Sequence, residues 1–284
     1  MIKKRIVAVV PVLNNIVVQS FKFNRYLPIG KLEVTLEFLS RWGIDEIIIL
    51  DISKDKSLPL FHNLQNHIKN CFVPITYGGG LNSLDNVKKV FNKGADKVSF
   101  NSSFTKNKKL ITETSKLYGE QSVVISLDYS YDQSYQPYVY DYMNNKKTNI
   151  SLYQSIEDSI SLGAGEILLN NIDKDGQYNG FDLNLIYLQK KYKTPLIFAG
   201  GARTSKHFLD AFNNGADSLA AGNLFHFTEH SVSKLKSNLS NLNVRKNPSF
   251  NYENHQVDNL QRVQKLDDDL LDNMLYTKIE DENI

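Results

Sequence analysis

Two glycine-rich turns carry the clearest chemical signal in the chain. Gly78-Gly79-Gly80 and Ala199-Gly200-Gly201 each end an apolar run and precede a segment of helical spacing. Glycines there let backbone N–H groups approach an anion, and the helix N-terminus that follows favours negative charge. The next apolar run in each case ends in small polar residues, Asn101-Ser102 and Gly222-Asn223, which suit the remaining wall of a phosphate cradle. One such turn is weak evidence, since glycines also make tight turns. Two in register predict two phosphate sites and a long ligand phosphorylated at both ends. Asp51 and Asp128 also end apolar runs, where a carboxylate can act as general acid or base. For both, capping the next helix or satisfying a loop backbone is the alternative. Asp128 follows Val123-Val124-Ile125-Ser126-Leu127 and projects toward the same mouth. Asp173 and Asp175, in Ile172-Asp173-Lys174-Asp175-Gly176, either extend that mouth or form a turn. Arg5, Glu46, Lys97 and Glu166 begin apolar runs instead of ending them. By spacing alone these four read as surface charges, each worth little, with a closed ion-pair ring as the alternative.

The elements that must position these residues come from an internal repeat. Gly43–Ile52 matches Gly163–Ile172 at an offset of 120, and Pro74–Gly80 matches Pro195–Gly201 at 121. Gly94-Ala95-Asp96 recurs as Gly215-Ala216-Asp217, again at 121. Three matches in one order at one offset make the chain a doubled half, 1–120 and 121–246. Each half holds four short apolar runs: Ile6–Val12, Glu46–Ile52, Val73–Tyr77 and Lys97–Phe100, then Val123–Tyr129, Glu166–Asn170, Leu196–Ala199 and Ser218–Ala221. The segments between them carry helical periodicity, as in Val87, Val90, Phe91 and in Phe208, Ala211, Phe212. Strands alternating with helices predict a parallel sheet, and eight units over 1–246 predict a (β/α)8 barrel. An open doubly wound sheet is the runner-up. In a barrel, function sits at the C-terminal ends of the strands, where the glycine turns and aspartates fall.

Composition narrows the function classes. The 284 residues carry 33 basic and 31 acidic side chains, net +2, which gives no reason to expect nucleic acid or an acidic membrane surface. One cysteine, Cys71, excludes an internal disulfide and fits a reducing cytosol. The six histidines show no zinc spacing, so neither a metal nor another cofactor is expected. Met1–Val10 reads as a buried first strand instead of a signal peptide, and no apolar run is long enough to span a bilayer. Residues 247–284 differ from the rest, with nine acidic and three basic side chains, which leaves +8 on 1–246. Val257, Leu260, Val263, Leu266, Leu270 and Met274 recur there at threes and fours, as on an amphipathic helix packed on the barrel or docked on a partner.

From Lys4 to Phe227 the chain resembles the cyclase subunit of imidazole glycerol phosphate synthase, the HisF family. The blocks that carry the likeness are Gly43–Asp51, Tyr77–Gly80, Gly94–Ser102, Gly163–Leu169, Ile172–Gly176 with Gly180, and Gly200–Ala202. A related isomerase shares the repeat and the phosphate sites, but Gly163–Leu169 and Ile172–Gly176 look like the cyclase. The resemblance implies a phosphate-binding set of Gly79, Gly80, Asn101, Ser102, Gly176, Gly200, Gly201, Gly222 and Asn223. It implies a HisH-like glutaminase on the barrel bottom, with ammonia passing through the barrel to the mouth. The family's charged gate falls on Arg5, Glu46, Lys97 and Glu166, which selects the ring over surface charges; Asp96 and Gln121 match positions near the glutaminase interface. The cyclase uses two aspartates, one ending strand one and one ending strand five. The second is Asp128, but the first position is Pro11, which cannot ionise or exchange a proton. Asn14-Asn15 replaces the usual Asp-Gly, Gln19 a lysine and Asn170 a threonine. This pattern resembles a side branch of the family that lacks the first aspartate. Its members work with a glutaminase and an ATP-dependent sugar amidotransferase to turn an acetamido group on a bacterial surface-sugar precursor into an acetamidino group.

Overall fold

The strands alternate strictly in what they turn inward, and that alternation builds the molecule. The computed structural model describes residues 3–54 and 59–245. Among these described residues twelve strands are present: β1 (Arg5–Leu13), β2 (Ile16–Phe21), β3 (Arg25–Lys31), β4 (Glu46–Asp51), β5 (Ile75–Gly78), β6 (Lys97–Phe100), β7 (Val123–Tyr131), β8 (Pro137–Asp141), β9 (Lys146–Ser151), β10 (Glu166–Asn171), β11 (Leu196–Ala199) and β12 (Ser218–Ala221). Eight of them close a parallel barrel in the order β1-β4-β5-β6-β7-β10-β11-β12, with β12 pairing back to β1. The barrel expected from the repeat is therefore present, and the open sheet is excluded by that closing pair.

Side chains two apart on a strand share a face. Arg5, Val7, Val9 and Pro11 are two apart along β1, as are Glu46, Ile48 and Leu50 along β4. Val7, Val9, Ile48, Val124, Leu168 and Ile197 form an apolar cluster of their own, joined by Leu50 and distinct from the larger core beneath the helices. Among the described residues nine helices run outside: α1 (Leu32–Arg41), α2 (Leu64–Ile68), α3 (Leu84–Asn92), α4 (Ser102–Lys106), α5 (Lys108–Tyr118), α6 (Leu152–Ser161), α7 (Leu188–Lys191), α8 (Ser205–Asn213) and α9 (Ser231–Ser237). α1 buries Leu32, Leu36 and Leu39, spaced by four and three, and α8 buries Phe208, Ala211 and Phe212. The expected helical stripes are thus the faces that meet the barrel. The expected amphipathic segment in 247–284 lies outside the described residues.

Helical spacing does not account for two stretches. Antiparallel hairpins β2–β3 and β8–β9 leave the C-terminal ends of β1 and β7, the same place in each half. β1 itself turns back into β2 at Asn14 and Asn15, both at positive φ (49° and 64°), which the short side chain of asparagine tolerates in a two-residue turn. The β2–β3 hairpin turns at Lys22 and Phe23 (φ 50° and 54°). These hairpins arch over the mouth.

Candidate functional site

The C-terminal ends of the strands open into a cavity of about 1220 Å³ with its mouth included. Of the mouth residues expected from the sequence, Asp51, Asp128 and Asp175 line it with Gly79, Gly80, Asn101, Ser102, Gly176, Gly200, Gly201, Gly222 and Asn223, whereas Asp173 lies outside the lining. Gly79 and Gly201 both require glycine. Each has positive φ (114° and 88°), and a Cβ would overlap the Asp51 carbonyl oxygen in one case and the Gly180 carbonyl oxygen in the other. A glycine backbone of this kind can present its N–H groups to an anion, chemistry that suits a phosphate. The helices directly after the glycines contribute less than expected, because Ser83 caps α3 and Thr204 caps α8. The short helical turns beginning at Ser102 and Asn223 lie on the mouth instead.

Two side chains expected to face phosphate are committed elsewhere. The Asn101 amide donates to the Asp128 carboxylate (2.8 Å) and to the Ser126 carbonyl (3.0 Å). The Asn223 side chain accepts from Ser20 N–H (3.1 Å) and donates to the Ser20 carbonyl (2.8 Å), pinning β2 to the second cradle. Their backbones remain part of the cavity wall. Gly176 packs against the same hairpin, where a Cβ would come within 2.6 Å of the Ser20 carbonyl oxygen.

The three carboxylates differ in what holds them. Asp128 points inward and is buried, and Asn170, its register partner on β10, also bonds it. Burial raises its pKa from 3.8 to about 7; the Asn101 and Asn170 bonds oppose that rise and the Asp175 charge adds to it. Asp175 is raised as well, chiefly by burial, while it accepts from Ser20 Oγ (2.6 Å) and Phe23 N–H (3.4 Å). Asp51 follows the inward Leu50, so it sits on the opposite parity. Its oxygens accept from Ser53 N–H (3.0 Å) and Leu60 N–H (3.4 Å), which is the loop-tying alternative weighed for it. Asp173 likewise serves a backbone, accepting from Tyr131 N–H (3.0 Å). Pro11 lines the cavity at the inward end of β1.

The opposite end of the barrel holds a closed ring. Arg5 Nη1 lies 2.9 Å from Glu46 Oε2 and 2.7 Å from Glu166 Oε1; Lys97 Nζ lies 3.1 Å from Glu46 Oε1 and 2.8 Å from Glu166 Oε2. Thr76 Oγ1 and Ser218 Oγ extend it through bonds with Glu46 (2.9 Å) and the Arg5 Nε–H (3.0 Å). These four charges are one network, not scattered loop residues. Asp96 and Gln121 are exposed near this end, with Asp96 accepting from Ile75 N–H (2.8 Å).

Sequence reasoning missed the roof. Phe23 and Tyr26 from the first hairpin and Tyr142 and Met143 from the second line the cavity. Phe23 meets Tyr142 edge-on at 6.0 Å, and the Tyr142 hydroxyl donates to the Ile52 carbonyl (2.8 Å). Asn14-Asn15 between Val12-Leu13 and Ile16-Val17-Val18 was the available signal for a hairpin there. Also missed was Asp182, buried beneath Tyr129, Tyr131 and Asn171, whose hydroxyls and amide all donate to it (2.9, 2.6 and 3.1 Å). Among the described residues no group of three or more His, Cys, Asp or Glu is placed to hold a metal, and no helix is long and apolar enough to cross a membrane.

Comparison with known proteins agrees with this architecture. The family described as "Histidine biosynthesis protein" matches residues 5–231. A putative imidazole glycerol phosphate synthase subunit hisF2 of Vibrio vulnificus is 34% identical over 268 residues, covering 92% of this chain and 98% of that protein. One of the same name from Campylobacter jejuni is 36% identical over 243 residues, covering 84% and 96%. The imidazole glycerol phosphate synthase subunit HisF of Bacillus licheniformis is 36% identical over 252 residues, covering 86% and 100%. With its closed barrel and these relatives, the chain belongs to the HisF family of histidine biosynthesis proteins.

Proposed function

We propose that this chain is the ammonia-receiving subunit of a two-subunit synthase of the imidazole glycerol phosphate synthase type. The observation that carries the reading is the closed Arg5–Glu46–Lys97–Glu166 ring at one end of a barrel whose other end is a phosphate-suited mouth. A HisH-like glutaminase docks on the ring face, where Asp96 and Gln121 lie. Ammonia released there enters past the ring and crosses the apolar layer of Val7, Val9, Ile48, Val124, Leu168 and Ile197. That layer favours neutral ammonia, since a bare ammonium ion would lose its hydration there. Conducting ammonia inside the barrel raises its effective concentration at the mouth and keeps it from protonation in bulk water.

At the mouth the two glycine cradles hold a ligand by phosphates at both ends, with Asp128 between them. A carboxyl with a pKa near 7 is present in both protonation states at neutral pH, so it can give and take a proton in one cycle. Asp175, also raised by burial, is the second carboxyl near enough to influence it and stands in for the acid that Pro11 cannot supply. The names of the relatives support the cyclase reading, a lyase step in histidine biosynthesis.

Pro11 favours a second reading, in which the barrel hands ammonia to an ATP-dependent sugar amidotransferase for acetamidino-sugar synthesis in the cytoplasm. A turnover assay on the purified chain separates the two. It supplies the bisphosphorylated ribulosyl cyclase substrate with saturating ammonium salt and no glutaminase. Turnover on the order of 1 s⁻¹ supports the cyclase. Tight binding without turnover supports the second reading.

A further inference from the structure

A buried carboxylate on the outer side of the sheet joins the two strands that carry the central pair of the mouth. Asp128 on β7 and Asn170 on β10 are register partners that face inward and bond each other. One residue further along, Tyr129 and Asn171 are register partners too, and the alternation of the strands turns them outward. Val123, Ile125 and Leu127 share that outward face with Tyr129, in the core beneath the helices. Asp182 meets them there. One of its oxygens, Oδ2, accepts from the Tyr129 hydroxyl (2.9 Å), the Tyr131 hydroxyl (2.6 Å) and the Asn171 amide (3.1 Å). The other accepts from Asn184 N–H (3.2 Å). Asp182, Tyr129 and Asn171 are all buried.

Packing alone does not call for a carboxylate in this place. A buried carboxylate is costly unless donors surround it, and three donors on one oxygen make a rigid, charge-assisted clamp. The clamp closes across the β7–β10 pair, so it sets the separation of the strand ends directly beside Asp128 and Asn170. It also closes the loop that carries Asp175: Asn171 Oδ1 accepts from Lys174 N–H at the start of that loop (3.2 Å), and Asp182 stands at its end. Asp128 is surrounded by Asn101 and Asn170 as bonding partners and by the Asp175 charge. Tyr26, Tyr140 and Tyr142 feel its charge from the two hairpins. We propose that Asp182, which lies outside the lining of the mouth, is a positioning residue that holds the Asp128–Asn170 bond in place through Tyr129 and Asn171. Its role in turnover rests on the reading of Asp128 as the acid–base group.

The sign of one titration tests this role. Removing a nearby negative charge lowers the pKa of an acid, whereas losing a bond to its carboxylate raises it. Asp182→Asn keeps the shape of the side chain and spoils the three-donor clamp. The Asp128 titration, followed by carbon NMR of the aspartate carboxyls in the full-length chain without substrate, should then move up from near 7 to about 8. Asn170→Leu should give the same rise, and Asp182→Asn should add nothing further in that background. Tyr129→Phe removes one donor but keeps the ring, and should move the titration part of the way; it carries the test if Asp182→Asn does not fold. In ammonium-driven turnover Asp182→Asn should lower kcat about tenfold with KM little changed. An Asp128 titration that stays in place or falls, or a further rise on top of Asn170→Leu, would overturn the proposal and leave Asp182 as packing. A parent chain that does not turn over would count against the proposed function alone, because the titration needs no substrate.

Discussion

Replacing Asp128 by asparagine should stabilise the fold while removing its chemistry, and the gain should depend on pH. Asp128 is buried, and burial lifts its carboxyl from 3.8 to about 7. Between those values the folded chain holds a proton that the unfolded chain releases, so stability falls as pH rises through that window. Above about 7 both states are ionised and the loss is complete. A shift of about three units corresponds to about 4 kcal/mol at 1.36 kcal/mol per unit, which is a ceiling. Asparagine keeps an oxygen for the Asn101 amide 2.8 Å away and removes the charge. Asp128→Asn should therefore gain about 2.5 kcal/mol more, relative to the parent, at pH 8 than at pH 5. Urea unfolding of both proteins at the two pH values measures that difference directly. Turnover, if the carboxyl is the acid–base group, should fall by about 10²–10⁴. A stability difference that is the same at pH 5 and pH 8 would refute the reasoning, because it would mean the carboxyl is not held neutral by its surroundings.

The parent's rate profile should bend near pH 7, moving with the Asp128 titration; a profile flat from pH 5 to 9 would dismiss it as the acid–base group. Glu46→Gln leaves Arg5 and Lys97 facing Glu166 alone, and should cost about 3 kcal/mol in urea unfolding. The same change should lower glutamine-driven turnover more than ammonium-driven turnover, read as the ratio of the two rates in the assembled complex. Gly201→Ala places a Cβ against the Gly180 carbonyl at a positive φ, and should weaken inorganic phosphate binding about tenfold or more by calorimetry. Pro11→Asp should change cyclase turnover by less than about tenfold if Asp128 and Asp175 already suffice; a rise of 10²–10⁴ from no activity would mark an inactivated scaffold.

The barrel was legible because its signals are local and repeated. The offset of 120–121 named eight strands, and the structure places all eight within a few residues of those bounds. The glycine turns were legible for the same reason, since Gly79 and Gly201 occupy backbone conformations that only glycine adopts without strain. The hairpins were harder to see, because β2–β3 and β8–β9 interrupt segments that otherwise alternate strand and helix. Asp51 and Asp128 looked alike in sequence, both closing apolar runs. Strand parity separated them: Asp128 turns into the mouth, while Asp51 ties Ser53 and Leu60.

By itself, then, the sequence determined the eight alternating strands, the repeat at an offset of 120–121, the two glycine-rich turns and the proline at position 11. Those are properties of residue type and spacing along one strand or turn. Tertiary structure alone decided that Arg5, Glu46, Lys97 and Glu166 close into a ring, that Asn101 serves Asp128 instead of a phosphate, and that Asn223 and Asp175 hold the hairpin. Each depends on which residues of different strands reach the same level of the barrel. That is set by the register closed between β12 and β1 and between β7 and β10, and no local pattern records it.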